Sequence, residues 1–280
     1  MDIVVVGHVN HDHIWRITEP LRPGGRISFS DRSLRLGGGG YYTGRRLIEL
    51  GHRVTLVASL ARDAHGLAAL RELAAFGFVT DHVTLTEGRT EFAEILLDPA
   101  GERTILGSIH KVTRSVELSG QVSGDAFYVN GTQLPEALVT ALTQAPLVVS
   151  QFPLRAVTPR PADVMVGSIA DFPGERLDAV WTRARQIAGD RLQHLLLTDG
   201  PNSITIHDGR QTTDVHLTDA VTTADTIGAG DSFSGALLHY LLLGRTIGEA
   251  ASEAGRATAD WLRRRDAERA EIPEVPALKS

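Results

Sequence analysis

Residues 225–233 read Asp-Thr-Ile-Gly-Ala-Gly-Asp-Ser-Phe and lead into an apolar stripe at helical spacing, Phe233, Ala236, Leu237, Tyr240 and Leu241. Glycines on either side of a small alanine let main-chain amides turn toward one point at the N-terminus of that helix. The partial positive charge there favours a phosphate or a developing oxyanion. Asp231 falls in the first helical turn, where a carboxylate can face the same point and accept a hydroxyl proton while the amides hold a transferring phosphoryl group. On these letters alone an aspartate that only caps the helix, behind a tight turn, is an equal reading.

The elements that must hold this loop follow from the hydropathy pattern. Ile3 to Val6, apolar, β-branched and closed by Gly7, predicts a strand buried on both faces of a mostly parallel sheet. Thr43 to Leu50 predicts a helix ended by Gly51, Val54 to Leu60 a strand, and Gly66 to Phe76 a helix ended by Gly77. This alternation means βαβ units and a doubly wound α/β fold. Leu195 to Thr198 and Ser203 to His207 predict further strands, with a turn at Asp208-Gly209. A last helix opens at Thr246 with Glu249 three residues on, a capping-box pattern. Two stretches stand outside this scheme. Residues 13–36 are polar and rich in turn residues, with an alternating strand at Arg26 to Ser30, and Phe92 to Leu97 and Arg103 to Leu106 flank the turn Asp98-Pro99-Ala100-Gly101. Two polar-faced hairpins, 13–36 and 90–106, predict a small β lid on a single domain spanning 1–280.

Length and composition exclude several classes. A chain of 280 residues with 42% hydrophobic and 22% charged residues is globular, neither disordered nor fibrous. A formal charge of −6 provides no basic field for nucleic acid. The absence of cysteine removes disulfides, thiolate metal sites and cysteine nucleophiles together. Neither an export signal nor an apolar run long enough to span a membrane is present, so the expected location is the cytoplasm.

The segment Asp225 to Asp231 resembles the C-terminal signature of the ribokinase, or PfkB carbohydrate kinase, family, and weaker pieces fall in the family's order along most of the chain. Gly7-His8-Val9-Asn10-His11-Asp12 is similar to the end of the family's first strand. Gly37 to Gly51 resembles the N-terminal signature, Asp63 and Gly66 the next strand-to-helix turn, Gly101-Glu102-Arg103 the lid hairpin, and Thr198-Asp199-Gly200 the turn that opens the nucleotide site. The resemblance implies a ribokinase-like fold and transfer of the γ-phosphoryl group of ATP to a hydroxyl. It implies Asp231 as base and the amides of Gly228, Ala229 and Gly230 as anion hole. Asn10, Asp12, Gly37, Gly38 and Gly39 would hold the acceptor, and Thr198, Gly200, Asp225, Thr226, Gly228 and Gly230 the nucleotide. Mg2+ would bridge the phosphates, a monovalent cation such as K+ would sit beside Asp225, and a homodimer would form through the lid.

Departures from the family pattern bear on the acceptor. Tyr42, preceded by Tyr41, stands where the signature carries an acceptor-binding asparagine. Ser168 and Asp171 stand roughly where an Asn-x-x-Glu motif orders the magnesium shell through water. Only Lys111 and Lys279 are lysines, so a side-chain cation at the phosphates is expected to be an arginine. The aromatic set Trp15, Phe29, Tyr41 and Tyr42 suits either the floor of a sugar or nucleobase pocket, with Trp15 and Tyr42 as acceptor contacts, or plain packing. Sugar kinase and nucleoside kinase are therefore both open, as is a family member that only binds a metabolite. A rival class uses metal: His8, Asp12 and His13 fall one ligand short of the His-x-His-x-Asp-His pattern of metallo-β-lactamase-like hydrolases, because Asn10 takes a ligand position. The Gly37–Gly40 run fails the G-x-G-x-x-G spacing in both frames, and no Gly-x-x-x-x-Gly-Lys occurs, which excludes the dinucleotide fingerprint and the P-loop.

Overall fold

A computed structural model describes residues 1–109, 116–155, 158–217, 221, 223 and 225–270, the last three without their side chains. Lys111 and Lys279 lie outside the described residues. In chain order the first elements are β1 (Asp2–Val6), β2 (Asn10–Ile17), β3 (Phe29–Gly37), α1 (Gly39–Glu49), β4 (Arg53–Ala61), α2 (Ala64–Phe76), β5 (Val79–Thr86), β6 (Phe92–Leu97) and β7 (Arg103–Gly107). They are followed by β8 (Ala126–Val129), α3 (Glu136–Gln144), β9 (Val148–Gln151), β10 (Val164–Ser168), α4 (Leu177–Ala188), β11 (His194–Asp199), β12 (Ser203–His207), β13 (Thr212–His216), α5 (Ala229–Leu242) and α6 (Ile247–Ala270).

Side chains alternate across a strand, so Ile3 and Val5 of β1 enter one hydrophobic cluster while Val4 and Val6 enter another. Burial on both faces is what a central parallel strand requires. β1 accordingly lies inside a sheet of order β13-β12-β11-β10-β9-β8-β1-β4-β5, in which β12 alone runs against the others, pairing antiparallel with β11 and β13. Leu47 of α1, Leu73 of α2, Leu237 of α5 and Ala254 of α6 pack on the Ile3 face. Leu138 and Leu142 of α3 and Val180 and Ala184 of α4 pack on the Val4 face. The doubly wound α/β reading is thus the observed fold. No helix among the described residues is long and apolar enough to cross a membrane.

A second sheet of four strands, in the order β3-β2-β6-β7, stands apart as the lid. β6 and β7 lie where the sequence places them. The other half differs: the lid begins at Asn10 rather than residue 13, and Arg26 to Ser28 are not strand, the pairing running instead from Phe29 to Gly37. The reason is physical. β2 and β3 carry charged residues on both faces, so no apolar alternation announces them.

Candidate active site

The C-terminal ends of the parallel strands deliver polar residues to one edge of the sheet. β1 leads through Gly7 to Asn10 and Asp12, β8 ends in Asn130, β10 in Ser168 and β11 in Thr198 and Asp199. This is the edge where ligands bind in open α/β sheets.

The glycine run 37–40 brings its backbone against these residues. A Cβ on Gly37 would overlap the Asp12 carboxylate at 1.8 Å, and one on Gly39 would lie 2.3 Å from Nδ2 of Asn130. Asp12, buried, and Asn130 therefore face a bare main chain at the start of α1, which makes this corner a candidate cradle. Asn130 was not singled out from the sequence. Its only signal is an Asn-Gly pair closing the buried run Ala126 to Val129.

The loop before α5 forms the opposite wall. Gly228 is the N-cap, with φ of 80°, and the Tyr42 ring lies so close that a side chain there would meet it at 2.8 Å. Asp231 caps nothing, which answers the alternative left open by the letters. Thr43 Oγ1 donates to the Asp231 carbonyl at 3.2 Å and ties α1 to this turn. The amides of this loop differ in how they are used. The Ala229 amide is used within the loop, donating to the Thr226 carbonyl at 3.1 Å, whereas no backbone acceptor takes the Gly230 or Asp231 amide among the described residues. Those two are orphan donors of a helix's first turn, and the space beside Gly230 is open.

Desolvation pushes the Asp231 carboxyl up to about 6, with Arg103 pulling it down and Asp12 pushing it further up. Arg103, on the lid, donates to the Thr226 carbonyl at 3.0 Å, so the lid touches the loop before α5. Beneath Asp231 lies Tyr128, fully buried, its hydroxyl among Thr43, Ser234 and Asn130 and held above its usual range by burial and by the Asp231 charge. Tyr42 is raised to about 12, chiefly by burial, with Arg35 opposing.

Not every expected residue arrives. Asp12, Ile14 and Arg16 point to one face of β2, and His11, His13 and Trp15 to the other. Trp15 is therefore on the outer face of the lid, donating to Glu94 Oε2 at 2.5 Å with Phe29 edge-on at 4.8 Å. Tyr41 stacks on Phe78 away from the cradle, which leaves Tyr42 as the aromatic residue at the site. The metal set of the rival class is not assembled, because His13 pairs with Glu94 at 2.9 Å on the face opposite Asp12. No group of three His, Asp or Glu suited to a metal occurs among the described residues.

Ser168 caps the turn Ile169–Asp171 by accepting from the Ala170 amide at 3.3 Å, and β10 pairs it with Thr198 on β11. Hydroxyl and exposed carboxylate oxygens at this edge are hard donors that fit magnesium held through water. A monovalent cation beside Asp225 does not fit. The Asp225 carboxylate accepts from the Ile227 amide at 2.9 Å and from Arg35 at 3.1 Å, and the carbonyls of Asp225 and Ile227 both accept from Arg265.

Residues 169–273 match the family model described as pfkB family carbohydrate kinase. More than nine-tenths of the chain superposes on solved structures of the ribokinase-like fold. A nucleoside kinase of Burkholderia thailandensis in complex with inosine matches with a TM-score of 0.72 and 17% identity, over 93% of this chain and 90% of that one. The Giardia lamblia ribokinase matches with 0.71 and 18%, over 93% of each chain. The Arabidopsis thaliana ribokinase complexed with ribose and ATP matches with 0.67 and 20%, over 93% and 92%. No curated protein sequence matches the chain. The segment that matches the pfkB carbohydrate kinase model contains the Asp225–Asp231 loop, and the chain as a whole has the ribokinase-like fold.

Proposed function

We propose that the protein transfers the γ-phosphoryl group of ATP to a hydroxyl of a small sugar or sugar-like acceptor. The observation that carries this reading is the position of Asp231. It is a carboxylate raised to about 6, in the first turn of a helix whose Gly230 and Asp231 amides have no backbone acceptor among the described residues, across from the Asp12 and Asn130 cradle. Asp12, Asn10 and Asn130 offer carboxylate and amide groups that can bind vicinal hydroxyls and fix one of them in line. That hydroxyl oxygen attacks the γ-phosphorus, its proton passes to Asp231, and the bond to the departing ADP oxygen breaks. The Gly230 and Asp231 amides and Arg103 offset charge on the transferring group. Thr198, Gly200 and Thr226 stand at the nucleotide end. Ser168 and Asp171 would hold the hydration shell of Mg2+, which supplies charge neutralisation at the phosphates. Lid closure excludes water as an unwanted acceptor. ATP as donor accords with a cytoplasmic location.

Tyr42 fills the place of the family's acceptor-binding asparagine, so the preferred acceptor differs from those that this asparagine selects. A nucleoside acceptor is the second reading. It is favoured by the aromatic face that Tyr42 brings to the site and by the likeness in fold to the nucleoside kinase.

Assembly through the lid is part of the proposal. Leu34 and Leu106 are 48% and 53% exposed on the outer lid face beside Trp15, and a second copy would cover them. Sedimentation should show a dimer that Leu106→Glu converts to monomer, and a native monomer would rule the assembly out.

ADP release with magnesium-ATP against pentoses, hexoses, sugar acids and nucleosides tests the reaction, with Asp231→Asn run beside the native protein. Acceptor-dependent release lost in the variant is the expected result. ATP binding without turnover on any acceptor would favour the metabolite-binding alternative.

A further inference from the structure

Asp225 is fully buried at the root of the anion loop, and three guanidinium groups surround its carboxylate. Arg35 donates to Oδ2 at 3.1 Å, a nitrogen of Arg265 stands 3.4 Å from Oδ1, and one of Arg16 stands 3.9 Å from Oδ2. Arg16 and Arg35 come from lid strands β2 and β3, and Arg265 from the last helix.

Arg265 does more than balance charge. Its Nη1 donates to the Ile227 carbonyl at 2.6 Å, and its Nη2 donates to the carbonyl of Asp225 itself. One planar cation thus gathers a carboxylate oxygen and two main-chain carbonyls from the three residues just before Gly228. Such a cluster of oxygens is what a monovalent metal ion would otherwise organise, and the guanidinium occupies it. Trp261, one helical turn earlier, holds that guanidinium over its ring with Cζ 4.4 Å from the centroid. The Arg265 side chain is only 14% exposed. A guanidinium keeps its charge at every accessible pH and presents its donors in a fixed plane, so the loop geometry is held by a group that cannot exchange with solvent ions.

We propose that Arg265 is a positioning residue that serves as a built-in cation beneath the anion loop, so that nucleotide binding and turnover do not depend on a monovalent metal ion. The turnover half rests on the kinase reading; the ion independence of the loop does not.

The test begins with the native protein in potassium, sodium, caesium and tetramethylammonium chloride at equal ionic strength. Magnesium-ATP affinity is read by calorimetry and the melting temperature by circular dichroism. Affinity should agree within about twofold across the four salts, and potassium should give no rise in melting temperature of its own. Arg265→Ala removes charge-assisted bonds and should weaken ATP binding in tetramethylammonium by about tenfold or more. Added guanidinium or potassium should restore part of that loss, and Arg265→Lys should fall between the two. Potassium-specific tightening or stabilisation of the native protein overturns the proposal, as does a folded Arg265→Ala with native affinity and melting behaviour in every salt. Should Arg265→Ala not fold, the native series and Arg265→Lys still decide. A native protein that binds no ATP in any salt overturns the kinase reading instead, and the melting series then judges Arg265 alone: a potassium-specific rise in Arg265→Ala absent from the native protein supports it, and the same rise in both sinks it.

Discussion

A carboxyl held near 6 is ionised at neutral pH but still a competent base, which is where a hydroxyl-activating group works best. Turnover should therefore rise with pH through about 6 and level off above it, a limb that a pH profile of kcat/KM on the best acceptor would show. Asp231→Asn should cut kcat by about 10²–10⁴-fold with ATP affinity little changed. The same variant should be more stable than the native protein at pH 7. A carboxyl raised above its unfolded value costs stability at every pH where the unfolded state is ionised, and the neutral amide removes that cost, by about 1–3 kcal/mol in chemical denaturation. Loss of activity with loss of stability would mean that Asp231 is structural. The Tyr42 hydroxyl, buried without a hydrogen-bond partner, gives a second test. Tyr42→Phe removes a polar atom that nothing among the described residues satisfies, so the melting temperature should hold or rise. If the hydroxyl serves the acceptor, KM for the acceptor rises while kcat stays, and an unchanged KM would return Tyr42 to packing.

At the level of elements, helix ends and hairpin turns were the most legible features. Gly51 and Gly77 mark helix ends as expected, and Thr246 and Glu249 make the reciprocal bonds of a capping box. The anion loop was legible because glycines before an amphipathic helix leave a signature that does not depend on tertiary contacts. β8, β9 and β10 were not assigned, since runs of four or five buried residues lack a period, and β10 follows a stretch broken by prolines. The first turn of α1 was hidden because Gly39 and Gly40 are poor helix formers retained for close backbone approach. Asn130, Arg35, Arg103 and Arg265 stayed invisible as site residues because each reaches the site across the fold, from strands or helices far apart in sequence. One contact between elements sets a pH dependence. His52, between α1 and β4, meets His239 of α5 at 2.8 Å, and burial with the neighbouring imidazole lowers its value from 6.5 to about 4. The unfolded chain takes up a proton there below pH 6.5 while the folded one resists until about 4. Stability should thus be full above 6.5 and fall as pH drops toward 4, a slope in denaturant midpoint that His52→Gln should flatten.

For the molecule as a whole, the lid and the α/β body meet through charge. Arg16, Arg35 and Arg103 reach from lid strands to Asp225 and Thr226, so lid position and loop geometry are one equilibrium. Arg103 also lowers the Asp231 carboxyl from the value that burial alone would set. Arg103→Ala should therefore move the acid limb of the pH profile to higher pH as well as reduce turnover, and a limb that stays in place would confine Arg103 to holding the loop.

The alternation of β2 has one more consequence. Asp12 and Arg16 lie on one face while His13 and Trp15 face outward from the lid, with one peptide unit between the two sets. Inserting or deleting one residue in the regular stretch from Asn10 to Arg16 would exchange the two faces of the strand, unless a bulge like the register shift between Arg16 and Ile17 absorbed it, whereas a change of two residues would keep them.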